Sequence, residues 1–250
     1  MRTLVPFAVS IRCSVVVEIE PFMRTLVPFA ATNPKTRLSS VLSAAERREF
    51  ARLMLASVLD SVVAAGGAPT VLSTDPLAFD EPPFAGHEPP FSPETRAATT
   101  VVVDDGPLSV AVNRRLRQAA DADPPRATRI LMADLPLVTA ADITRITDAA
   151  GDVVIAPGMG GGTNALVIRD PEFRVDYHGA SSLDHARRAA DLGATLTVVD
   201  SRRLATDIDE PGDLAEVLIH GEGAVRDWLI DAGFELDTDA GRVGVSRCGE

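Results

Sequence analysis

The chain has 250 residues, 46% hydrophobic and 4% aromatic, with a formal net charge of −12. That length fits one α/β domain or two small ones, and no apolar run nears the roughly 20 residues of a membrane-spanning helix. The acidic balance excludes the basic surface that nucleic-acid binding requires.

The octapeptide Met1–Ala8 recurs at Met23–Ala30, and only the second copy runs on into Thr32-Asn-Pro-Lys-Thr-Arg-Leu38. Residues 1–22 lack the turn chemistry to join two strands, and Arg12, Glu18 and Glu20 spoil a signal-peptide reading. They read as a non-native or disordered extension ahead of the main domain over 23–220, with 221–250 as its helix and hairpin extension. Cys13 and Cys248, one near each terminus, have no metal-type spacing and read as free thiols of a reducing cytoplasm.

From Met23 the pattern alternates. Thr25–Val27 is a first strand and residues 29–40 a polar loop. Ser43 and Glu46 form a capping-box signature ahead of Phe50, Leu53, Met54, Val58 and Val62 at helical spacing, and Gly66-Gly67 ends that helix. Pro69–Ser73 is a strand, residues 75–98 a proline-rich loop, Thr100–Val103 a strand and Leu108–Ala120 a helix. Ile130–Ala133 is an apolar run suited to a strand buried on both faces, closed by Asp134 and Pro136. A helix capped by Thr139, strands at Asp152–Ala156 and Asn164–Ile168 joined by the glycine turn 158–162, a helix from Ser181 or Ser182, and a strand at Thr195–Val199 follow. Pro211 suits the first turn of another helix, and Ala224–Arg247 reads as a helix and short hairpin. Alternating strands and helices predict an α/β class with a mainly parallel sheet.

Four places carry chemistry. Lys35 and Arg37 lie in the loop after the first strand, where α/β folds bind phosphate. Lys35 is the only lysine against 23 arginines, and its compact ammonium acts as a point charge on a phosphate. This lysine-poor, acidic composition points to adaptation to high salt. Asp207 and Asp209 put two carboxylates on one face of an extended segment, and with Asp134 they make a possible three-carboxylate Mg²⁺ site. Gly160-Gly-Gly-Thr-Asn164 has more glycine than a hairpin needs and can present N–H groups to an anion. Ser181 and Ser182 open a helix, either as an ordinary cap or as donors to a carboxylate or phosphate, while His185 receives no role.

Val27-Pro-Phe, Asn33-Pro-Lys-Thr-Arg-Leu38, Ala133-Asp-Leu-Pro136, Ala156-Pro with Gly161-Gly-Thr-Asn164, Gly179-x-x-Ser182 and Asp207-Ile-Asp209 occur in an order that resembles the 2-phospho-L-lactate guanylyltransferase family, CofC and its phosphoenolpyruvate-using relatives. The resemblance runs from Met23 to about Leu218 and looks haloarchaeal. It implies a GT-A-like three-layer α/β/α nucleotidyltransferase fold, GTP and 2-phospholactate or phosphoenolpyruvate as partners, Mg²⁺ as cofactor, and a homodimer. It implies Asp134, Asp207 and Asp209 as metal ligands and Thr163, Gly179 and Ser182 as donors around the phospho-acid. It also implies Lys35 and Arg37 as nucleotide-phosphate residues, with Lys35, Arg37 and Asp134 catalytic. Asp104, Asp105 and the proline-rich loop are candidates for reading guanine. Rival readings are a nucleotidyltransferase acting on a molybdopterin or sugar phosphate, and a nucleotide-binding module without catalysis. Deleting residues 1–22 is expected to leave turnover unchanged, measured as pyrophosphate release by the truncated and full chains.

Overall fold

A strand turns successive side chains to opposite faces, so adjacent apolar residues must be covered on both sides. The computed structural model describes residues 23–79, 92–238, 241 and 243–248. The duplicated leader and the middle of the proline-rich loop lie outside these residues. In β1 (Arg24–Phe29) Leu26 and Val27 are both buried, and α1 (Ala44–Ala64) leads from it to β2 (Pro69–Ser73). Next come α2 (Pro93–Ala98), β3 (Thr100–Val103), α3 (Leu108–Ala120) and β4 (Thr128–Leu131), with Ile130 and Leu131 both buried. Then follow α4 (Ala140–Asp148), β5 (Val153–Pro157), β6 (Thr163–Ile168), α5 (Ser181–Leu192) and β7 (Leu196–Val198). The seven strands form one sheet in the order β3-β2-β1-β4-β6-β5-β7. Every pairing is parallel except those of β6, which runs antiparallel to β4 and β5.

The two sheet faces have separate covers. Leu55 and Leu59 of α1 and Ile143 of α4 pack with Val27, Leu131 and Val167. Val112 and Leu116 of α3 and Ala189 of α5 pack with Leu26, Ile130 and Leu166. The result is a three-layer α/β/α sandwich, built because the central strands β1, β4, β5 and β6 supply apolar residues to both layers. Truncating a leucine or isoleucine among them to alanine costs about 2–5 kcal/mol.

The single turn α6 (Arg202–Ala205) enters the first of these cores through Leu204, and a third core joins α7 (Leu214–His220), α8 (Ala224–Asp231), β8 (Phe234–Asp237) and β9 (Gly244–Arg247) to the rest. There Phe50 of α1 meets Trp228 of α8 with ring centroids 5.2 Å apart, and Ile208, Leu214 and Phe234 close around them. Arg247 of β9 lies over the Phe234 ring and donates to the carbonyls of Ala232 and Val41 at 2.9 and 3.1 Å. It also pairs with Glu46 in the first turn of α1.

Local signals explain several helix starts. Ser43 Oγ accepts from the Glu46 N–H while the Glu46 carboxylate accepts from the Ser43 N–H, and Thr139 and Asp142 repeat the exchange. The expected loop over 75–98 is interrupted by α2, which begins behind a Ser92 cap with Pro93 in its first turn. A six-residue helix is too short to declare itself by apolar periodicity. The single turn α6, capped by Ser201, escapes sequence reading for the same reason. The strand expected over Ile130–Ala133 ends at Leu131; Met132 still donates to the Asn164 carbonyl in line with the β6 pairing, and the chain then turns.

The bond from Arg247 holds Glu46 well below the usual carboxylate range, at about 2. Arg247→Met is expected to cost about 1 kcal/mol at pH 7 in urea denaturation. Because the folded carboxyl is the stronger acid, that contribution is present above pH 4.5 and disappears as the pH falls towards 2. The gap between wild type and variant should narrow over the same interval.

Candidate active site

The strand order reverses between β1 and β4, since β2 and β3 extend one way from β1 and β4 opens the other side. In open α/β sheets ligands bind beyond the carboxyl ends of the strands at such a point. A cleft of about 420 Å³ opens there, with Pro28, Phe29, Lys35, Arg37, Asp134 and Asp209 in its walls.

Lys35 arrives on the loop after β1. Its ammonium donates to Asp134 Oδ2 at 2.6 Å and to Asp209 Oδ1 at 2.7 Å. Burial alone would lower its pKa, but the two carboxylates outweigh burial and raise it. Asn33 and Lys35 both have left-handed backbones, with φ of 47° and 54°. Such geometry costs of order 1 kcal/mol or more at residues with a Cβ and persists where surroundings enforce it. Arg47, buried in α1, does so here. It donates to the Pro34 carbonyl, the Asn33 side chain and the Leu42 carbonyl at 3.3, 3.2 and 3.0 Å. Arg37 reaches Asp209 Oδ2 at 3.3 Å, and its side chain is 67% exposed.

The acidic residues are delivered by a buried anchor. The N–H of Ile208 donates to the Asp134 carbonyl at 3.1 Å, and the Ile208 side chain is fully buried in the third core. Asp207 and Asp209 flank it. Asp207 Oδ1 accepts from Asn164 Nδ2 at 3.0 Å. Burial raises the Asp207 pKa, repulsion from Asp134 and Asp209 adds to the rise, and Asn164 opposes it. Asp134 Oδ1 is buried without a hydrogen-bond partner. An unpartnered carboxylate oxygen beside two further acids is an all-oxygen donor set, which suits a hard cation such as Mg²⁺. Among the described residues no three such side chains converge in a ready-made metal cage. The positive charge between Asp134 and Asp209 is the Lys35 ammonium itself.

The remaining predicted residues form an adjoining cluster. Thr163 opens β6 next to Asn164, and its buried hydroxyl contacts Ser181 at 3.0 Å and His185 at 2.9 Å. The glycine turn closes the β5–β6 hairpin, with Gly161 at φ +82°. The Gly161 carbonyl accepts from the Ser182 hydroxyl at 2.8 Å and its N–H at 3.2 Å. Neither serine caps α5 with its side chain, because Ala180 occupies the cap position. Gly179, at φ +53°, has the left-handed turn that admits the helix. Asp104 is buried against Arg114 and Arg115, and Asp105 is exposed. Sequence reasoning passed over Arg47, gave His185 no role, and quoted Asn164 only as part of the glycine-turn motif, without its bond to Asp207. No local spacing marks them, since each acts on a residue that only tertiary structure brings near.

Chains of known type agree with this geometry. The family described as guanylyl transferase, CofC like, matches residues 23–81 and 88–247. A 2-phospho-L-lactate guanylyltransferase from Haloarcula marismortui is 52% identical over 90% of this chain and 99% of its own length. One from Methanocorpusculum labreanum is 40% identical over 92% and 98%. A putative nucleotide-diphospho-sugar transferase from Desulfovibrio desulfuricans G20 has the same fold, with TM-score 0.65 at 14% identity over 84% of this chain and 94% of that one. The family match over nearly all of residues 23–247 and the near-full-length relatives together show that this chain belongs to the CofC-like guanylyl transferase family.

Proposed function

We propose that this enzyme transfers the guanylyl group of GTP to 2-phospholactate, giving lactyl diphosphoguanosine and pyrophosphate. The observation that carries the reading is the Lys35 ammonium held against Asp134 and Asp209 at the cleft, with Arg37 beside it. The names of the relatives supply the acceptor. A phosphate oxygen of the acceptor forms a bond to the α-phosphorus of GTP. The bond from that phosphorus to the bridging oxygen breaks, and pyrophosphate leaves with the electron pair. The acceptor phosphate is already ionised at neutral pH, so the step needs no general base.

The chief obstacle is repulsion between two anions. Lys35 and Arg37 counter it by stabilising the charge that develops on pyrophosphate. Asp134, Asp207 and Asp209 would hold Mg²⁺, which when bound neutralises phosphate charge. Thr163, Gly179 and Ser182 would receive the acid end of the acceptor. Phosphoenolpyruvate presents the same phosphate and carboxylate and is the second acceptor to test.

Purified protein with GTP and Mg²⁺ is expected to convert 2-phospholactate or phosphoenolpyruvate, with the product identified by mass. Equal turnover of a sugar phosphate would overturn the assignment. Asp134→Asn should lower turnover at least about a hundredfold with an unchanged circular dichroism spectrum. Lys35→Met leaves two carboxylates facing each other without their shared cation. It should cost about 3 kcal/mol at pH 7 by urea denaturation, besides slowing turnover.

A further inference from the structure

His185 is fully buried in α5, and its Nδ1 lies 2.9 Å from the Thr163 hydroxyl. On the other side of the ring, the Asp176 N–H reaches Nε2 at 2.9 Å. A backbone N–H can only donate, so Nε2 carries its lone pair. Burial, reinforced by the charge of Arg188, holds the imidazole down to about 4, so at neutral pH the ring has one proton. That proton sits on Nδ1 and is donated to Thr163 Oγ1.

The consequence follows from counting protons. His185 Nδ1, Thr163 and Ser181 offer three, and the cluster contains two hydrogen bonds, His185 to Thr163 and the 3.0 Å contact between the two hydroxyls. Whichever way the hydroxyl pair is oriented, one O–H has no acceptor among the described residues. With the opposite tautomer, Thr163 would donate to the ring, Ser181 would donate to Thr163, and no proton would remain. The cluster adjoins Asn164, which holds Asp207, and the first turn of α5, which has no side-chain cap.

We infer that His185 is a positioning residue for the anionic acceptor: by donating from Nδ1 to Thr163 it leaves one hydroxyl proton of the Thr163–Ser181 pair available to the acid's carboxylate. The inference rests on the guanylyl-transfer reading above and deepens it. It assigns the histidine no proton transfer in the reaction. Its task is to fix which atoms of a buried hydroxyl pair donate.

Two variants separate the ring's two hydrogen bonds. His185→Gln can still accept from Asp176 through its amide oxygen but places no donor at the Nδ1 position facing Thr163. His185→Asn places an amide donor where Nδ1 stood. In steady-state assays of the full chain, His185→Gln is expected to raise KM for the phospho-acid about tenfold. Its kcat and its KM for GTP should stay within about twofold, and His185→Asn should restore most of the loss. Nitrogen NMR of the wild type should find Nδ1 protonated and Nε2 bare from pH 6 to 8. A proton on Nε2, an unchanged acceptor KM in His185→Gln, or a joint decline of every kinetic parameter in both variants would overturn the inference. A wild type inert towards both 2-phospholactate and phosphoenolpyruvate overturns the parent reading and this one with it. An active wild type with an unresponsive His185→Gln overturns this one alone.

Discussion

One ammonium shared by two carboxylates holds this site in register. Lys35 comes from the loop after β1, Asp134 from the turn after β4, and Asp209 from the segment anchored by Ile208. Each is fixed by a different packing unit. β1 and β4 are clamped by both faces of the sheet, Ile208 is sunk in the C-terminal core, and the Lys35 loop is stitched to α1 by Arg47. The contact therefore reports on all three cores at once. Two carboxylates brought this close would repel each other in a medium less polar than water, and a single compact cation offsets that repulsion.

The same arrangement reconciles a negative protein with negative substrates. A net charge of −12 repels nucleotides and phospho-acids at long range. Ionic strength screens that repulsion beyond a Debye length of about 8 Å at physiological salt, and more tightly in brine. Contacts within a cleft survive screening far better. An acidic surface is thus compatible with the proposed phosphate site, where the exposed Arg37 guanidinium beside Lys35 would act at short range.

Much of this was legible in the sequence, and the reason differs by residue. The sandwich follows from adjacent apolar pairs such as Ile130 and Leu131, which demand cover on both sides. Ser43 with Glu46 and Thr139 with Asp142 announce helix starts because the bonds they make span three residues. Asp134 is legible because a carboxylate ending a buried strand in an α/β chain has few places to be. What the sequence could not convey is the position of the ammonium, which lies between the acids and not across from them. Nor could it reveal that Arg47 enforces the left-handed backbones of Asn33 and Lys35, or that His185 is tied to Thr163. Those facts depend on side-chain directions after packing, whereas periodicity and spacing carry only positions along an element.

The site is also assembled from distant parts of the chain. Lys35 is 99 residues from Asp134 and 174 from Asp209 along the sequence, while the β5–β6 hairpin with its glycine turn closes over a handful. Loop-closure entropy makes distant contacts late and neighbouring ones early. A nascent or partly unfolded chain can thus carry a formed hairpin, and even Thr163 beside its turn, without any assembled anion site. The proposed phosphate site therefore exists only in the completed domain, since its three residues meet last.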